Sequence, residues 1–183
     1  MNTTNGNIAK QSKRKLINAL FTVMQQYDFK EITITQLTQE AHLSRKTFYR
    51  LFSDKEDLLH YYFQQIIQEC ISEIKARQIH NYWSTVQLYF DFWEEKQELL
   101  ILLKKHNLLL FLTQDIYEHS YEIFAYVRSQ EVMEEFMPTL PYMLAYTIGG
   151  VHTMLVKWIE DDMKVPSRQL LQTLKAGLQS PAI

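Results

Sequence analysis

One stretch of the chain, residues 32–59, decides the fold; it reads ITITQLTQEAHLSRKTFYRLFSDKEDLL. Thr33 is followed three positions later by Gln36, which is the spacing of a capping box, and apolar residues then recur at helical spacing as far as Ala41. A two-residue turn follows, after which Ser44 can cap another short helix. The stretch therefore predicts a short helix, a tight turn and a second short helix.

The helix that begins after Ser44 has one apolar side and one cationic side. Phe48, Leu51 and Phe52 share the side that would pack against a core. The other side carries the residues that meet DNA when such a helix lies in the major groove: Arg45, Lys46, Tyr49 and Arg50. Arginine and lysine suit the O6 and N7 atoms of guanine, and a threonine methyl can touch the methyl of thymine. The alternative is a solvated basic face, which charge alone would favour.

We therefore predict a DNA-binding site on this motif and on the helix starts beside it. Free backbone N–H groups at two helix starts would seat phosphates, next to Thr33 and Lys55. The predicted contacts are Thr33, Ser44, Arg45, Lys46, Thr47, Tyr49, Arg50 and Lys55. The basic run from Lys10 to Lys15 could also reach the DNA backbone or the minor groove.

Longer helices are predicted on both sides of the motif. Apolar residues on one face indicate a first helix over about residues 10–27, and residues 29–32 form a short break. Ser53 to Glu56 has the spacing of a second capping box, which would start a long fourth helix with apolar positions as far as Ile74.

This stretch resembles the N-terminal DNA-binding domain of the tetracycline-repressor (TetR) family of transcriptional regulators. The family pattern is roughly T-[apolar]-x-x-[apolar]-A-x-x-A-G-[apolar]-S-x-G-[TS]-[apolar]-Y-x-[HY]-F-x-[SD]-K-E-x-L. The chain matches it at Thr33, Leu37, Ala41, Leu43, Ser44, Thr47, Phe48, Tyr49, Phe52, Asp54, Lys55, Glu56 and Leu58. The resemblance covers about residues 10–60 and implies a three-helix DNA-binding domain ahead of a larger helical body that binds an effector and dimerises.

Three positions depart from the family pattern. Thr38 stands where Ala is usual, and His42 and Lys46 stand where Gly is usual. Glycine best tolerates positive φ in the turn, although histidine is among the residues enriched there. Lys46 adds a cation beside the DNA, so the base preference of relatives does not carry over to this chain.

The composition favours helices throughout. The 183 residues include only 4 Gly and 4 Pro, fewer than a β-sandwich or a nucleotide-binding α/β fold would use. Hydrophobic residues make up 46% and charged residues 22%, which argues against disorder. The single cysteine, Cys70, excludes a disulfide framework and a multi-cysteine zinc site within one chain, and fits a small buried side chain on a helix.

The charge of the chain is unevenly distributed. The net charge is −2, but residues 1–50 hold eight Lys and Arg against three Asp and Glu, a net of +5, so the remainder carries −7. This asymmetry indicates a basic module that contacts a polyanion and an acidic body that does not.

The C-terminal two-thirds is also predicted to be helical. Helices are expected over residues 83–93, 99–103, 108–127 and about 142–163, and a last one follows a break at residues 165–167. We predict an all-α chain of about nine helices, divided into a helix-turn-helix domain over residues 8–54 and an effector-binding and dimerisation domain over residues 55–183.

The last two helices are the predicted dimer interface. Apolar residues of the penultimate helix alternate steps of four and three, which suits packing of one helix on another. The predicted contacts are Leu144, Ile148, Val151, Leu155, Trp158, Leu171, Leu174 and Leu178. Two consecutive glycines, Gly149 and Gly150, would let backbones approach closely, and the resemblance implies a homodimer. The alternative is an intramolecular core helix.

Aromatic residues are concentrated between residues 82 and 126. The resemblance makes this region the effector-binding body, and an aromatic-lined cavity suits a small apolar or aromatic ligand. The predicted ligand contacts are Tyr89, Trp93, Phe111, Tyr117, Tyr121 and His152. Any one of these rings could instead be core, and His106, His119 and His152 could be surface or internally bonded histidines.

The sequence lacks the motifs of common enzyme sites. It has no G-x-S-x-G, H-E-x-x-H or phosphate-binding glycine loop, so we predict no enzyme activity, no catalytic residue, no metal and no cofactor. The polar start is not a secretory signal, and the apolar run of residues 142–159 holds His152 and Lys157 and is a poor membrane span. A cytoplasmic location is expected.

These features predict a ligand-responsive regulator that binds a palindromic operator in double-stranded DNA as a homodimer, with repression as the default sign. Three alternatives stay open: an activator of the same family, a helical ligand-binding protein that never contacts DNA, and a helical enzyme using His106 or His152. Neutralising Arg45 and Lys46 would leave the second of these unaffected.

Overall fold

The regular structure is helical in every part of the chain that the computed structural model describes, which is residues 2–128 and 136–179. Nine α-helices and one 3-10 turn, Phe29–Glu31, lie in these ranges. The helices are α1 Asn2–Met24, α2 Ile34–Glu40, α3 Arg45–Leu51, α4 Lys55–Ala76, α5 Tyr82–Glu95, α6 Gln97–Lys105, α7 Leu109–Val127, α8 Leu140–Glu160 and α9 Ser167–Gln179. The predicted all-α class is confirmed.

Contacts divide the chain into two compact units, Met1–Gln65 and Ile66–Ile183. The division lies inside α4, whereas the sequence analysis placed the domain boundary before this helix. The first turns of α4 belong to the N-terminal unit because their apolar side chains are buried there: Leu58, Leu59 and Phe63 are inaccessible, and the Tyr62 ring lies edge-on to Phe21 at 4.6 Å between centroids.

The core of the N-terminal unit is formed by the apolar faces of its helices. Its fully buried side chains are Leu16, Leu20, Met24, Leu37, Phe48, Leu58, Leu59 and Phe63. Helix α1 begins at Asn2, earlier than the predicted residue 10, because helix formation continues through a polar segment that has no apolar stripe to reveal it. It ends at Met24 rather than near residue 27, because the Asp28 carboxylate accepts a hydrogen bond from the Lys30 N–H and starts the 3-10 turn.

The start of α4 is capped one residue later than predicted. The Asp57 N–H donates to Asp54 Oδ1 at 2.7 Å, and the Ser53 N–H donates to Asp57 Oδ2 at 2.8 Å. Asp54 and Asp57 therefore act as the capping pair that was predicted for Ser53 and Glu56. The physical reason is that a carboxylate accepts the free N–H groups at a helix start more strongly than a serine hydroxyl does.

In the C-terminal unit, helices α5 to α9 pack around large aromatic side chains. Phe90 of α5 lies edge-on to Trp158 of α8 at 5.7 Å between centroids, and the Trp158 Nε1–H donates to the Val165 carbonyl at 2.7 Å. The Ser167 hydroxyl donates to Asp91 Oδ1 at 2.8 Å, which holds the start of α9 against α5. None of the described helices combines the length and apolar character that a membrane-spanning segment needs.

Candidate nucleic-acid interface and ligand cavity

Helix α2 begins at the capping box that the sequence predicts. The Thr33 N–H donates to Gln36 Oε1 at 2.8 Å, and the Gln36 N–H donates to Thr33 Oγ1 at 3.2 Å. Both members of the pair thus satisfy a backbone donor that the helix leaves free. This confirms the predicted cap and sets the direction in which α2 leaves the preceding loop.

The turn between α2 and α3 accommodates two of the three departures from the family pattern. His42 has φ 53°, the left-handed conformation expected where glycine is usual, and the Leu43 N–H then donates to the Thr38 carbonyl at 2.9 Å. Thr38 is buried where alanine is usual, and its hydroxyl donates to the Ile34 carbonyl of its own helix at 2.8 Å. Both substitutions are therefore accommodated locally.

Helix α3 presents its two predicted sides as the sequence analysis describes them. Phe48 and Phe52 are buried, and Ser44 caps the helix by accepting the Thr47 N–H at 3.0 Å. The opposite side is open to solvent; it carries Arg45, Lys46, Arg50 and Tyr49, the last with 52% of its surface exposed. The Thr47 hydroxyl also bonds to Ser44 Oγ at 2.9 Å, so the cap holds both of these hydroxyls in place.

No carboxylate among the described residues pairs with the cations of this face. Among the described residues, Arg45, Lys46 and Arg50 take part in no ion pair, and the Arg45 guanidinium lies 6.0 Å from the centre of the Tyr49 ring. Because no carboxylate among the described residues neutralises them, these exposed charges add to a positive surface potential that attracts a polyanion. The structure therefore brings seven of the eight predicted DNA contacts to α3, its cap and the cap of α2.

Lys55, the eighth predicted contact, is used inside the N-terminal unit. Its Nζ donates to the carbonyls of Phe29 at 2.7 Å, Lys30 at 2.9 Å and Ile32 at 3.0 Å. A lysine ammonium has three protons to donate, so none remains for a phosphate. The prediction for Lys55 is corrected: it ties the start of α4 to the loop before α2. Sequence reasoning missed this role because the partners lie more than twenty residues away in the chain.

The basic run of α1 also divides into two groups. The Lys13 Nζ lies 3.9 Å from the centre of the Tyr61 ring and 5.3 Å from that of Phe52, so its charge rests on aromatic faces of the same unit. Lys10, Arg14 and Lys15 are exposed. Only these three keep the free charge expected for contacts with a DNA backbone.

A cavity of about 170 Å³ lies in the C-terminal unit between α4, α5, α7 and α8. Its walls are mostly apolar. The cavity contacts include three of the six predicted ligand residues, Tyr89, Trp93 and His152. The cavity is also lined by residues that were not predicted as ligand contacts, including Ile67, Cys70, Ile74, Thr85, Val86, Ile116, Ser120, Phe124, Thr147 and Val151.

The other three predicted ligand residues lie elsewhere. Tyr117 and Tyr121 are 42% and 47% exposed on the outer side of α7, and Phe111 is half-buried away from the cavity. On α7, Ile116 and Ser120 point into the cavity. Tyr117 and Tyr121 each follow one of them by one residue, and successive residues of a helix point about 100° apart, so both rings point away from the cavity. Aromatic content therefore did not predict which rings line the cavity, whereas the helical spacing of the smaller residues would have helped.

A hydrogen-bonded pair of polar side chains interrupts the apolar wall. The Tyr89 hydroxyl lies 3.3 Å from Nδ1 of the buried His152, and the other ring nitrogen, Nε2, has no well-directed partner among the described residues. Burial lowers the pKa of His152, with the Leu109 backbone opposing this in part, so the imidazole is neutral near pH 7. Burial likewise raises the pKa of the Tyr89 hydroxyl, which stays protonated.

Cys70 behaves as the sequence analysis expects of a buried side chain. It lies on the cavity wall, and burial, helped by the nearby Glu73 carboxylate, raises the pKa of its thiol to about 12. The thiol is thus neutral at physiological pH. The described residues contain no cluster of three or more His, Cys, Asp or Glu side chains placed to hold a metal ion.

The predicted dimer contacts are mostly used within one protomer. Leu144, Leu155, Trp158 and Leu171 are buried, and Ile148 and Val151 line the cavity. Leu174 is half-buried and Leu178 exposed. The seam on α8 is real, but it packs inward against the other helices of its own unit, which is the alternative that the sequence left open. Helical spacing identifies an apolar face without showing which molecule covers it.

The exposed face of α8 carries a different set of residues. Tyr142 and Tyr146 are 77% and 81% exposed, and Gly149, Gly150 and Thr153 continue the same open side. A Cβ atom added at either glycine would meet nothing within 4 Å, so packing inside the protomer does not require glycine at these positions. This face is defined here as the α8 outer face.

Comparison with known proteins agrees with these observations. Residues 12–62 match the family model described as bacterial regulatory proteins, tetR family. A search of curated proteins finds no match. In fold, the chain is similar to a solved structure from Bacillus halodurans, described as that of the fatty acid degradation regulator FadR; the two share 15% identity with a TM-score of 0.62, over 92% of this chain and 96% of the other. The capped α2–turn–α3 segment lies within the matched residues, so the geometry and the family model together identify residues 12–62 as a domain similar to that of the bacterial regulatory proteins of the tetR family.

Proposed function

We propose that the chain acts as a homodimer that binds a palindromic operator and represses transcription until a small effector releases it. Two copies of α3 would lie in successive major grooves, with half-sites about 34–36 Å apart or a multiple of that distance. Such a regulator acts in the cytoplasm, on double-stranded DNA. The observation that carries the proposal is the exposed face of α3, where Arg45, Lys46 and Arg50 pair with no carboxylate of the described part of the chain and the other side of the helix is buried.

The electrostatics support binding to a polyanion. Residues 1–50 carry a net charge of +5 in a chain whose total is −2. Each phosphate that a protein neutralises adds about 0.9 to the slope of log affinity against log salt concentration, because counterions are released. Contacts from two protomers should make operator affinity fall steeply between about 50 and 200 mM salt.

The α8 outer face supports dimerisation through a second copy of the chain. Two large, highly exposed tyrosine rings stand beside exposed glycines that each cost about 1 kcal/mol relative to alanine in a helix. Exposed apolar and aromatic surface of this kind often marks a site of contact with another protein. We therefore move the proposed interface from the buried seam to Tyr142, Tyr146, Gly149 and Thr153, together with the exposed Leu178 of α9.

The effector response is proposed to act through α4. This helix begins in the N-terminal unit at Lys55, and its later residues Ile67, Cys70 and Ile74 line the cavity. A ligand that displaces these side chains would move a helix whose first turns belong to the DNA-binding unit. The separation of the two DNA-binding units in a dimer would then change, and operator affinity with it.

The test begins with selection of bound duplexes from a random pool, using the purified full-length chain. We expect retention of a palindromic sequence that weakens steeply with salt. The double variant Arg45→Ala, Lys46→Ala should lose retention at about 200 mM salt. Lys105→Ala, which removes an exposed cation of α6, is the matched control and should retain the duplex. A folded, dimeric chain that retains no oligonucleotide at low salt would overturn the proposal.

A second candidate function, a ligand-binding helical protein that does not contact DNA, is favoured by the cavity alone. It predicts that ligand binding is the same in the chain and in the double variant and that no duplex is retained by either. The sign of regulation is decided separately, by a reporter downstream of the selected operator: expression that falls when the chain is produced supports repression, and expression that rises identifies an activator.

A further inference from the structure

The size of the cavity limits what it can hold. Its volume of about 170 Å³ is close to that of an engineered apolar protein cavity of about 150 Å³ that binds benzene. It is smaller than the roughly 300–1,000 Å³ typical of sites for drug-sized ligands. A single six-membered ring with one or two small substituents therefore fills it, whereas a long chain or a fused ring system requires the walls to move.

The walls define the polarity of that ligand. Apolar side chains from four helices surround the space, including Ile67, Val86, Ile116, Phe124 and Val151. Among the described residues that line it, Arg128 is the one with a permanent formal charge, and it is exposed to solvent at the end of α7. A cation in the cavity would lose its hydration with no acidic side chain among the described lining residues to pair with, and an anion could pair only with Arg128 at the solvent-exposed end of α7. A charged group deeper in the cavity is therefore costly.

The Tyr89–His152 pair on the cavity wall can form a further hydrogen bond with a ligand. Tyr89 and His152 both line the cavity and are bonded to each other at 3.3 Å, and the Trp93 side chain also interacts with the Tyr89 hydroxyl. If Nδ1 of His152 accepts the phenolic proton, the Tyr89 oxygen keeps a lone pair; if Nδ1 donates, Tyr89 keeps its proton for another acceptor. A ligand hydroxyl can complete either arrangement, because it both donates and accepts.

We propose that the cavity binds a neutral, single-ring apolar compound with one hydroxyl group, seated on the Tyr89–His152 pair. This inference names the effector class and rests on the proposed ligand-responsive function for its biological meaning. The ring is held by apolar contacts, and the hydroxyl fixes its orientation. Tyr89 is the group that selects a phenol or small cyclic alcohol over the corresponding hydrocarbon.

Four probes separate this class from its competitors. They are p-cresol, which has the ring and the hydroxyl; toluene, which lacks the hydroxyl; benzoate, which is charged; and dodecanoate, a long acyl chain. Calorimetric titration and the ligand-dependent rise in melting temperature measure binding to the full-length chain. We expect p-cresol to bind about tenfold more tightly than toluene, the gain from one buried hydrogen bond. Benzoate and dodecanoate should bind more weakly than either.

Two tyrosine variants test the role of the hydroxyl. Tyr89→Phe keeps the ring and removes the hydroxyl, so p-cresol should fall to the affinity of toluene while toluene is unchanged. Tyr117→Phe is the matched control, because Tyr117 lies outside the cavity on the same body, and it should change neither affinity. Thr147→Leu, which adds volume to the wall, should weaken both ligands, with folding checked by the melting temperature of the ligand-free variant.

The opposite results overturn the proposal. Tighter binding of benzoate or dodecanoate than of p-cresol would contradict the neutral single-ring class, and an equal loss of toluene and p-cresol in Tyr89→Phe would contradict the hydrogen bond. Operator retention, measured separately, distinguishes this failure from that of the regulator. If p-cresol binds as expected and no duplex is retained, the ligand class stands and the DNA-binding function fails. If duplexes are retained and p-cresol does not bind, the reverse holds.

Discussion

At the residue scale, similar lysine and arginine side chains serve different purposes within a few positions. Arg45 and Lys46 project from α3 and form no ion pair within residues 2–128 and 136–179, whereas Lys55 donates all three of its protons to backbone carbonyls. Residue type alone does not separate these roles. The separation comes from the carbonyls of the loop at residues 29–32, which converge where the α4 ammonium lies.

For Lys55, we expect Lys55→Met to destabilise the N-terminal unit by about 2 kcal/mol, because it removes charge-assisted hydrogen bonds from three backbone carbonyls, of which those of Phe29 and Ile32 belong to buried residues. Urea unfolding measures the change. Lys30→Met removes an exposed cation from the same loop and should cost less than about 0.5 kcal/mol. If Lys55→Met were as stable as the parent and bound DNA as poorly as an α3 variant, the original phosphate role would be restored.

For Arg45, we expect Arg45→Ala to relax the preference for one base pair of the operator by about 1–3 kcal/mol. A side chain at the start of a recognition helix reads a base edge, so its loss affects one position most. Tyr49→Phe should weaken binding to all duplexes about equally. Competition binding against operators with single substitutions measures both effects, and a uniform loss for Arg45→Ala would refute its base-reading role.

At the element scale, the caps and the turn hold α3 in position. Thr33 and Ser44 cap α2 and α3 by accepting hydrogen bonds from backbone N–H groups, and His42 in the turn between them has a left-handed conformation with φ 53°. The sharp change of direction is thereby set by three residues. The pair Asp54 and Asp57 performs the same task where α4 begins.

The turn yields a prediction of its own. A left-handed conformation costs a residue with a Cβ about 1 kcal/mol, and glycine avoids this cost. We expect His42→Gly to be about 1 kcal/mol more stable than His42→Ala, less the greater entropy of glycine in the unfolded chain. Urea unfolding of the two variants measures the difference. Equal stabilities would show that the turn carries no strain of this kind.

At the scale of the whole molecule, the proposed dimer depends on the α8 outer face. Tyr146→Asp places a charge at its centre, and we expect the dimer to dissociate at concentrations where the parent chain stays paired. Analytical ultracentrifugation measures the mass, and operator retention should fall in parallel. Tyr121→Asp, on the exposed side of α7, is the matched control and should remain dimeric. A Tyr146→Asp chain that dimerises like the parent would place the interface elsewhere.

Much of the fold can be read from local sequence signals. Capping residues, the turn at residues 42–43 and the break at residues 165–167 predict where several helices begin and end, because these depend on hydrogen bonds between residues three or four apart. The limits of α1 and the cap of α4 were less accurate. A polar segment without an apolar stripe carries little signal, and competing caps differ by only one residue.

The sequence by itself determined the all-α class, the α2–turn–α3 motif and the sided character of α3, since each follows from spacing along a few helical turns. The tertiary structure decided which apolar residues face inward. Leu155 and Trp158 are buried in the core, whereas Tyr142 and Tyr146 of the same helix are exposed. Tyr89 and His152 line the cavity, whereas Tyr117 and Tyr121 do not. The tertiary structure also bound Lys55 to distant carbonyls. These outcomes depend on contacts between segments remote in sequence, and helical periodicity marks a face without naming its neighbour.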